Sequence, residues 1–200
     1  MTDMTNPTAG GPRRGRLKLL AVVLVCAAPV IASYFTYYVI RPEGRVNYAD
    51  LIEPQIALGD LRLRQLDGEP IQLSHLRGKW IMATSGASTC DAACAERLYN
   101  IRQVRLTTGR ERDRVERLWL LTDSGSPDSA LLAQHEGLVV WRFEGGIPDP
   151  RLAAAPGYKP EDHVYIIDPL GNLMMRFPAQ ADPNRMKKDL NKLLRASRIG

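Results

Sequence analysis

Outside its N-terminal segment, the chain of 200 residues has almost no net charge. Its formal charge of +5 comes from 27 basic and 22 acidic residues, but five of the basic residues and one acid precede Pro42. The rest of the chain therefore has a balance of only +1, whereas a nucleic-acid-binding domain needs a strongly basic surface. We predict no nucleic-acid partner. The sequence also contains no internal repeat and no long low-complexity tract.

Cysteine is scarce, and its positions are informative. Of the three cysteines, Cys26 lies in an apolar run near the N-terminus, and only Cys90 and Cys94 lie elsewhere. These two are four residues apart, between an apolar strand-like run and a predicted helix. Such a pair can be a redox dithiol, a clamp for a soft metal or a structural disulfide. A disulfide that closes so short a loop removes little entropy from the unfolded chain, which makes a purely stabilising role the least attractive of the three.

The apolar run predicts a membrane anchor. Residues 19–40 contain no charged side chain, and at about 1.5 Å per residue they can cross a hydrocarbon core of about 30 Å. A cleaved signal peptide would normally have a shorter apolar region of about 7–15 residues. Four basic residues precede the run against one acid, which predicts a cytoplasmic N-terminus; they are Arg13, Arg14, Arg16 and Lys18. The predicted organisation is a basic tail over 1–18, an anchor over 19–40, a connector over 41–54 and one exoplasmic domain over 55–200.

The domain alternates strand-like and helix-like segments. The predicted order is a β-hairpin, a strand, a helix, a strand, a short helix, a strand, a second hairpin and a closing helix. A mostly parallel centre, a terminal hairpin and a cysteine pair after an early strand predict a thioredoxin-like α/β fold, with a central mixed sheet flanked by helices. The helices are predicted over 91–108, 126–135 and 184–196.

Several segments resemble the Sco/SenC family. The hairpin and turn over 66–79, the Cys-x-x-x-Cys pair and the strand–turn–strand over 165–172 occur in the order that is characteristic of that family. The chain resembles a divergent member, because Asp91, Ala92 and Ala93 replace the usual proline-containing segment between the cysteines. The family's histidine lies eight residues before the position of Asp168, whereas His163 lies only five before it.

The resemblance implies a membrane-anchored factor that handles copper or exchanges thiols during assembly of the copper centre of cytochrome c oxidase. It implies Cu(I) or Cu(II) held by Cys90, Cys94 and His163, with an oxidase subunit or another copper chaperone as partner. The implied location is the inner membrane, with a single span and the C-terminal domain in the periplasm. Two alternatives stay open: a metal-free thiol–disulfide oxidoreductase, in which Cys90 and Cys94 are catalytic, and a non-catalytic scaffold. The resemblance thus implies either a metallochaperone or a thiol–disulfide oxidoreductase.

The remaining candidate residues are three histidines and one aspartate. An unbroken strand would turn His163 to the face opposite the one that the family's histidine uses, because side chains alternate along a strand. His75 and His135 are predicted to be ordinary surface histidines. Asp123 follows a buried strand, where it could tune the cysteine site or cap the next helix.

Overall fold

The computed structural model describes residues 12–40 and 47–199, which form parts of two separate units, Met1–Val46 and Asn47–Gly200. In the first unit, helix α1 spans Pro12–Phe35 and continues as a π-helical turn over Thr36–Ile40. It is the one helix in the described part of the chain that is long and apolar enough to cross a membrane. Residues 1–11 of the predicted basic tail lie outside the described residues.

The second unit is built on a single eight-stranded mixed sheet. The strand order is β1-β8-β7-β4-β5-β6-β2-β3, in which β4, β5 and β6 are parallel and β7 runs antiparallel to β4. The strands are β1 Asp50–Ala57, β2 Arg62–Arg64, β3 Pro70–Gln72, β4 Trp80–Gly86, β5 Val115–Leu121, β6 Leu138–Phe143, β7 Tyr165–Ile167 and β8 Asn172–Arg176. The helices are α2 Ala92–Leu106, α3 Ser129–Gln134 and α4 Pro183–Ala196. The predicted mixed sheet, hairpins and helix order are confirmed.

The core is divided between the two faces of the sheet. One cluster joins alternate residues of β4 and β5 to buried residues of α2 and α4, among them Leu98, Ile101 and Leu190. The cluster on the opposite face contains Tyr165 of β7 and Phe143 of β6. Because β-strand side chains alternate, each central strand contributes to both clusters, and this fixes the register of the strands around the cysteine loop.

The structure corrects two predicted boundaries. Part of the expected connector over 41–54 is β1, an edge strand that pairs with β8, while residues 41–46 lie outside the described residues. Helix α3 begins at Ser129 rather than near 126, because Asp128 caps it by accepting a hydrogen bond from the Ala130 N–H at 2.9 Å. Pro127 therefore lies before the helix and not in its first turn.

Candidate thiol site

The candidate site lies where the chain leaves β4 and enters α2. Cys90 and Cys94 form a disulfide with a Cα–Cα distance of 5.2 Å. Cys94 is the third residue of α2 and is 5% exposed, whereas Cys90 lies before the helix and is partly exposed. An attacking thiol therefore has better access to Cys90 than to Cys94, and the fold distinguishes the two sulfurs.

The start of α2 is capped between the two cysteines. Asp91 is the N-cap residue, and its Oδ1 accepts a hydrogen bond from the Cys94 N–H at 2.8 Å. Unpaired N–H groups and the helix dipole favour a thiolate at this position once the disulfide is reduced. The Asp91 carboxylate acts in the opposite direction, because it adds negative charge beside Cys90.

Cys90 has a left-handed backbone, with φ of 36°, which is uncommon for a residue other than glycine. Hydrogen bonds hold the loop before Cys90 at both of its ends. The Cys90 N–H donates to the Ala87 carbonyl oxygen at 3.1 Å, and the Thr122 N–H donates to the Gly86 carbonyl oxygen at 3.0 Å. Such a conformation persists only where the surrounding structure fixes it.

Asp123 supplies the main anchor for this loop. Its Oδ2 accepts hydrogen bonds from the Ser88 N–H at 2.9 Å and from Ser88 Oγ at 3.0 Å, and its Oδ1 accepts one from the Gly125 N–H at 3.2 Å. Arg142 of β6 holds the same segment by donating to the carbonyl oxygens of Asp123 and Gly125 at 3.4 and 3.2 Å. Asp123 thus supports the cysteine loop, while the cap of the next helix is Asp128.

His163 lies at the same end of the sheet but is fully buried. Since Ala83 pairs with Tyr165 in antiparallel register, His163 lies beside the C-terminal end of β4, where the cysteine loop begins. Its ring is 6.1 Å, centroid to centroid, from the ring of Tyr165, which belongs to the cluster on the face opposite α2.

Both ring nitrogens of His163 have hydrogen-bond partners. Nδ1 lies 2.8 Å from the Phe177 carbonyl oxygen and therefore carries the proton, so Nε2 accepts from the Ala155 N–H at 3.2 Å. Burial lowers the pKa of His163, which keeps the ring neutral. Within the described ranges, no three His, Cys, Asp or Glu side chains form a group that could hold a metal. The structure brings Cys90 and Cys94 together but does not add His163 to them.

The other two histidines differ from each other. His75 is exposed, as predicted, and its Nδ1 lies 3.1 Å from the Gln72 carbonyl oxygen. The prediction for His135 is wrong, because it is only 6% exposed. It follows α3, whose apolar side chains pack against the core, so the end of this helix lies close to the core. Burial, together with Arg117, lowers the pKa of His135.

Comparison with known proteins supports this architecture. Residues 80–197 match the family described as "Transmembrane-like, thioredoxin-like, C-terminal domain", and residues 10–39 match "Transmembrane-like, N-terminal domain". A search of curated proteins finds no match.

Solved Sco structures share the fold at low sequence identity. Copper-bound yeast Sco1 is 15% identical, with 71% of this chain and 90% of that chain covered and a TM-score of 0.54. Apo Sco1 from Thermus thermophilus is 15% identical, with 76% and 99% covered and a TM-score of 0.56. Copper-bound ScoI from Bradyrhizobium japonicum is 17% identical, with 68% and 98% covered and a TM-score of 0.52. The predicted resemblance to Sco proteins is confirmed at the level of the fold.

Proposed function

The chain belongs to the transmembrane-like, thioredoxin-like family, and from that premise we propose that it is a membrane-anchored factor in assembly of the cytochrome c oxidase copper centre. Its working group is the Cys90–Cys94 pair, which exchanges thiols with a partner and, when reduced, receives Cu(I) as cargo. The observation that carries the proposal is the placement of this pair at the start of α2, with one accessible and one buried sulfur. Copper-bound relatives of the same fold, from yeast and Bradyrhizobium japonicum, support it.

The proposed location follows from charge and from the disulfide. The basic residues at 13–18 are expected to keep the N-terminus in the cytoplasm. The thioredoxin-like unit then lies in the periplasm, where disulfides persist. The proposed partners are an oxidase subunit or another copper chaperone on that side of the membrane.

The cargo site is proposed to rest on two sulfurs. Thiolates are soft ligands that select Cu(I), and reduction of the Cys90–Cys94 bond supplies two of them at a helix N-terminus. His163 can become a third ligand only if its Nε2 gives up the hydrogen bond from the Ala155 N–H. The structure therefore favours a two-sulfur Cu(I) site over a three-ligand site that also holds Cu(II).

A copper titration of the full chain tests the proposal. The reduced protein, in detergent micelles, is titrated with Cu(I) against a competing chelator. We expect one Cu(I) per chain and at least a tenfold loss of affinity, about 1.4 kcal/mol, for Cys90→Ser and for Cys94→Ser. Cys26→Ser is the matched control, because this free cysteine lies in α1, outside the thioredoxin-like unit. Equal, weak binding by wild type and Cys90→Ser would show that the copper proposal is wrong.

A metal-free thiol–disulfide oxidoreductase is the second candidate, favoured by the two hydrogen bonds that hold His163. It predicts a reversible Cys90–Cys94 couple with a potential above the roughly −300 mV below which structural disulfides lie. A redox titration separates this role from a structural bridge. In cells, the Cys90→Ala/Cys94→Ala double variant is expected to lose oxidase activity under either thiol-based proposal. Normal oxidase activity in that strain would contradict both thiol-based proposals and leave the non-catalytic scaffold as the remaining hypothesis.

A further inference from the structure

A row of basic side chains runs along the exposed side of α4. Its four exposed cations are spaced three or four residues apart; they are Arg185, Lys188, Lys192 and Arg195. At about 100° per residue, this spacing places all four within an arc of about 80° on one side of the helix. The opposite side of α4 is buried in the core and contributes Met186, Leu190 and Leu194. We call the row of four cations the α4 stripe.

The α4 stripe concentrates charge that the rest of the thioredoxin-like unit lacks. Residues 183–199 contain six basic side chains and one acidic one, a formal charge of +5, whereas residues 42–182 contain 16 basic and 20 acidic side chains, a formal charge of −4. The one acid, Asp189, is 2% exposed, and its Oδ1 lies 3.0 Å from Lys192 Nζ. The nearly neutral unit is therefore polarised, with one strongly positive helix and a negative remainder.

The chain enters the second unit alongside this helix. The guanidinium carbon of Arg185 lies 3.9 Å from the ring centroid of Tyr48, and the Asp182 N–H donates to Tyr48 Oη at 3.1 Å. The N–H groups of Tyr48 and Ala49 both donate to Asp189 Oδ2, at 2.6 and 2.9 Å. The beginning of the second unit is therefore fixed to the N-terminal half of α4, beside the α4 stripe.

Only a short connection joins this point to the proposed membrane anchor. The π-helical turn after α1 ends at Ile40, and seven residues separate it from Tyr48. A fully extended chain covers at most about 3.6 Å per residue, so this connection can reach no more than about 30 Å. A bilayer that α1 spans is therefore present at a high effective concentration near the α4 stripe, whereas a soluble partner must diffuse to it.

The charge distribution identifies the kind of surface that α4 fits. A layer of anionic headgroups is an extended array of negative charge, and the α4 stripe is a straight row of cations about 15 Å long. The same surface repels the negative charge of residues 42–182, so α4 is the side that approaches it. Because the attraction decays over about 8 Å at physiological ionic strength, the stripe must itself lie at the headgroups.

We propose that the α4 stripe binds anionic phospholipid headgroups of the bilayer that α1 spans, and so holds the thioredoxin-like unit on the membrane surface. The inference goes beyond the proposed function, because it uses the anchor but requires neither copper nor thiol exchange. Each Lys or Arg near an anionic surface contributes roughly fivefold to the binding equilibrium. Lys188 and Arg195 together should therefore contribute about 25-fold.

Energy transfer from tryptophan to a labelled lipid tests the inference in the full chain. All three tryptophans belong to the second unit, so the signal reports on that unit and not on α1; they are Trp80, Trp119 and Trp141. The chain is inserted into nanodiscs that contain a lipid with a dansyl headgroup, in phosphatidylcholine alone or with equimolar phosphatidylglycerol. We expect more energy transfer with phosphatidylglycerol, and we expect the difference to disappear in 1 M salt, where the Debye length is about 3 Å.

Two double variants complete the design. Lys188→Gln/Arg195→Gln should lower the ratio of docked to undocked unit in phosphatidylglycerol nanodiscs about 25-fold. Arg62→Gln/Arg77→Gln is the matched control, because it removes two exposed charges outside α4 and should change that ratio by no more than about twofold.

Two results would overturn the inference. Equal energy transfer in the two kinds of nanodisc would do so and would leave an acidic protein as the partner that the α4 stripe fits. An equal fall in both double variants would also do so, because net charge and not the stripe would then drive binding. Both results leave the proposed thiol function intact, since the copper and redox titrations test it separately.

Discussion

The anchor of the cysteine loop predicts the effect of Asp123→Asn. The carboxylate accepts two hydrogen bonds from Ser88 on one oxygen and one from the Gly125 N–H on the other. An asparagine of the same shape has one acceptor oxygen and one NH2 group. If the oxygen serves Ser88, the NH2 group faces the Gly125 N–H, and two donors meet where a hydrogen bond was.

The expected loss is about 2 kcal/mol of unfolding free energy. A hydrogen bond to a charged acceptor contributes about 1.5–3 kcal/mol, and partial exposure of Asp123 lets water recover some of it. With a urea m-value of about 2 kcal/mol/M, the midpoint moves down by about 1 M. The assay is urea unfolding of the full chain in detergent, followed by the fluorescence of Trp80, Trp119 and Trp141, which are all buried. The loosened loop should also make the disulfide react faster with 2-mercaptoethanol.

Asp128→Asn is the matched control for this prediction. Asp128 lies on the same connection but only caps α3, through one hydrogen bond to the Ala130 N–H. Asparagine and aspartate are nearly equivalent at an N-cap, so we expect a change below about 0.5 kcal/mol. If Asp123→Asn changes stability no more than Asp128→Asn does, Asp123 does not anchor the loop.

Three further substitutions test other parts of the fold. A Cβ at residue 125 would lie 2.1 Å from Ser88 Oγ. Gly125→Ala should therefore lower the unfolding free energy by about 1–3 kcal/mol, measured by urea unfolding. Adding Ser88→Gly should restore part of that loss. Asp189 is 2% exposed and accepts hydrogen bonds from the Tyr48 and Ala49 N–H groups at 2.6 and 2.9 Å. Asp189→Asn should therefore lower the unfolding free energy by about 2–3 kcal/mol. Asp67→Asn, at an exposed position, is the control and should change the unfolding free energy little. Burial lowers the pKa of both His163 and His135, so the unfolded chain binds these protons more readily than the folded chain does. Each of the two histidines should therefore contribute stability that is complete above about pH 6.5 and falls below it by at most about 1.4 kcal/mol per pH unit. His163→Gln should reduce that slope in urea unfolding at pH 5 to 7, and an unchanged slope would contradict the assignment.

The centre of the fold was predictable because its periodicities are strong. The apolar run at 80–84 became β4, the stripe of Leu98, Ile101 and Val104 became the buried face of α2, and 115–121 became β5. In each case the local pattern and the tertiary environment favour the same structure. Local pattern was sufficient there, and it also predicted both hairpins.

Strand β1 was missed because its stability does not come from its own sequence. All of its residues are exposed or only partly buried, and Pro54 lies within it, as is typical of a connector or an edge strand. Its backbone hydrogen bonds go to β8, more than 100 residues away in sequence. No local signal could identify that pairing, so the predicted connector includes residues that belong to β1.

The cysteine pair was predictable from spacing, whereas its supporting contacts were not. The sequence identifies Asp123 as an acid at the end of a strand, but only the parallel pairing of β4 with β5 brings it to Ser88. Burial of His135 depends on the same kind of long-range packing.

The placement of His163 distinguishes chemistry that needs only the two cysteine sulfurs from chemistry that also needs an imidazole ligand. Its neutral ring is held between a carbonyl oxygen of Phe177 and the N–H of Ala155, and each of these bonds contributes about 1 kcal/mol. Recruiting Nε2 to a metal requires breaking the second bond and moving the loop that carries Ala155, whereas the two sulfurs need only lose their mutual bond. The reduced cysteine pair is therefore open to the proposed Cu(I) cargo or to a partner disulfide before the histidine is, and the oxidised pair is open to attack by a partner thiolate. The oxidation state of the Cys90–Cys94 pair thus decides between the proposed activities, because Cu(I) binding requires the reduced pair and attack by a partner thiolate requires the disulfide.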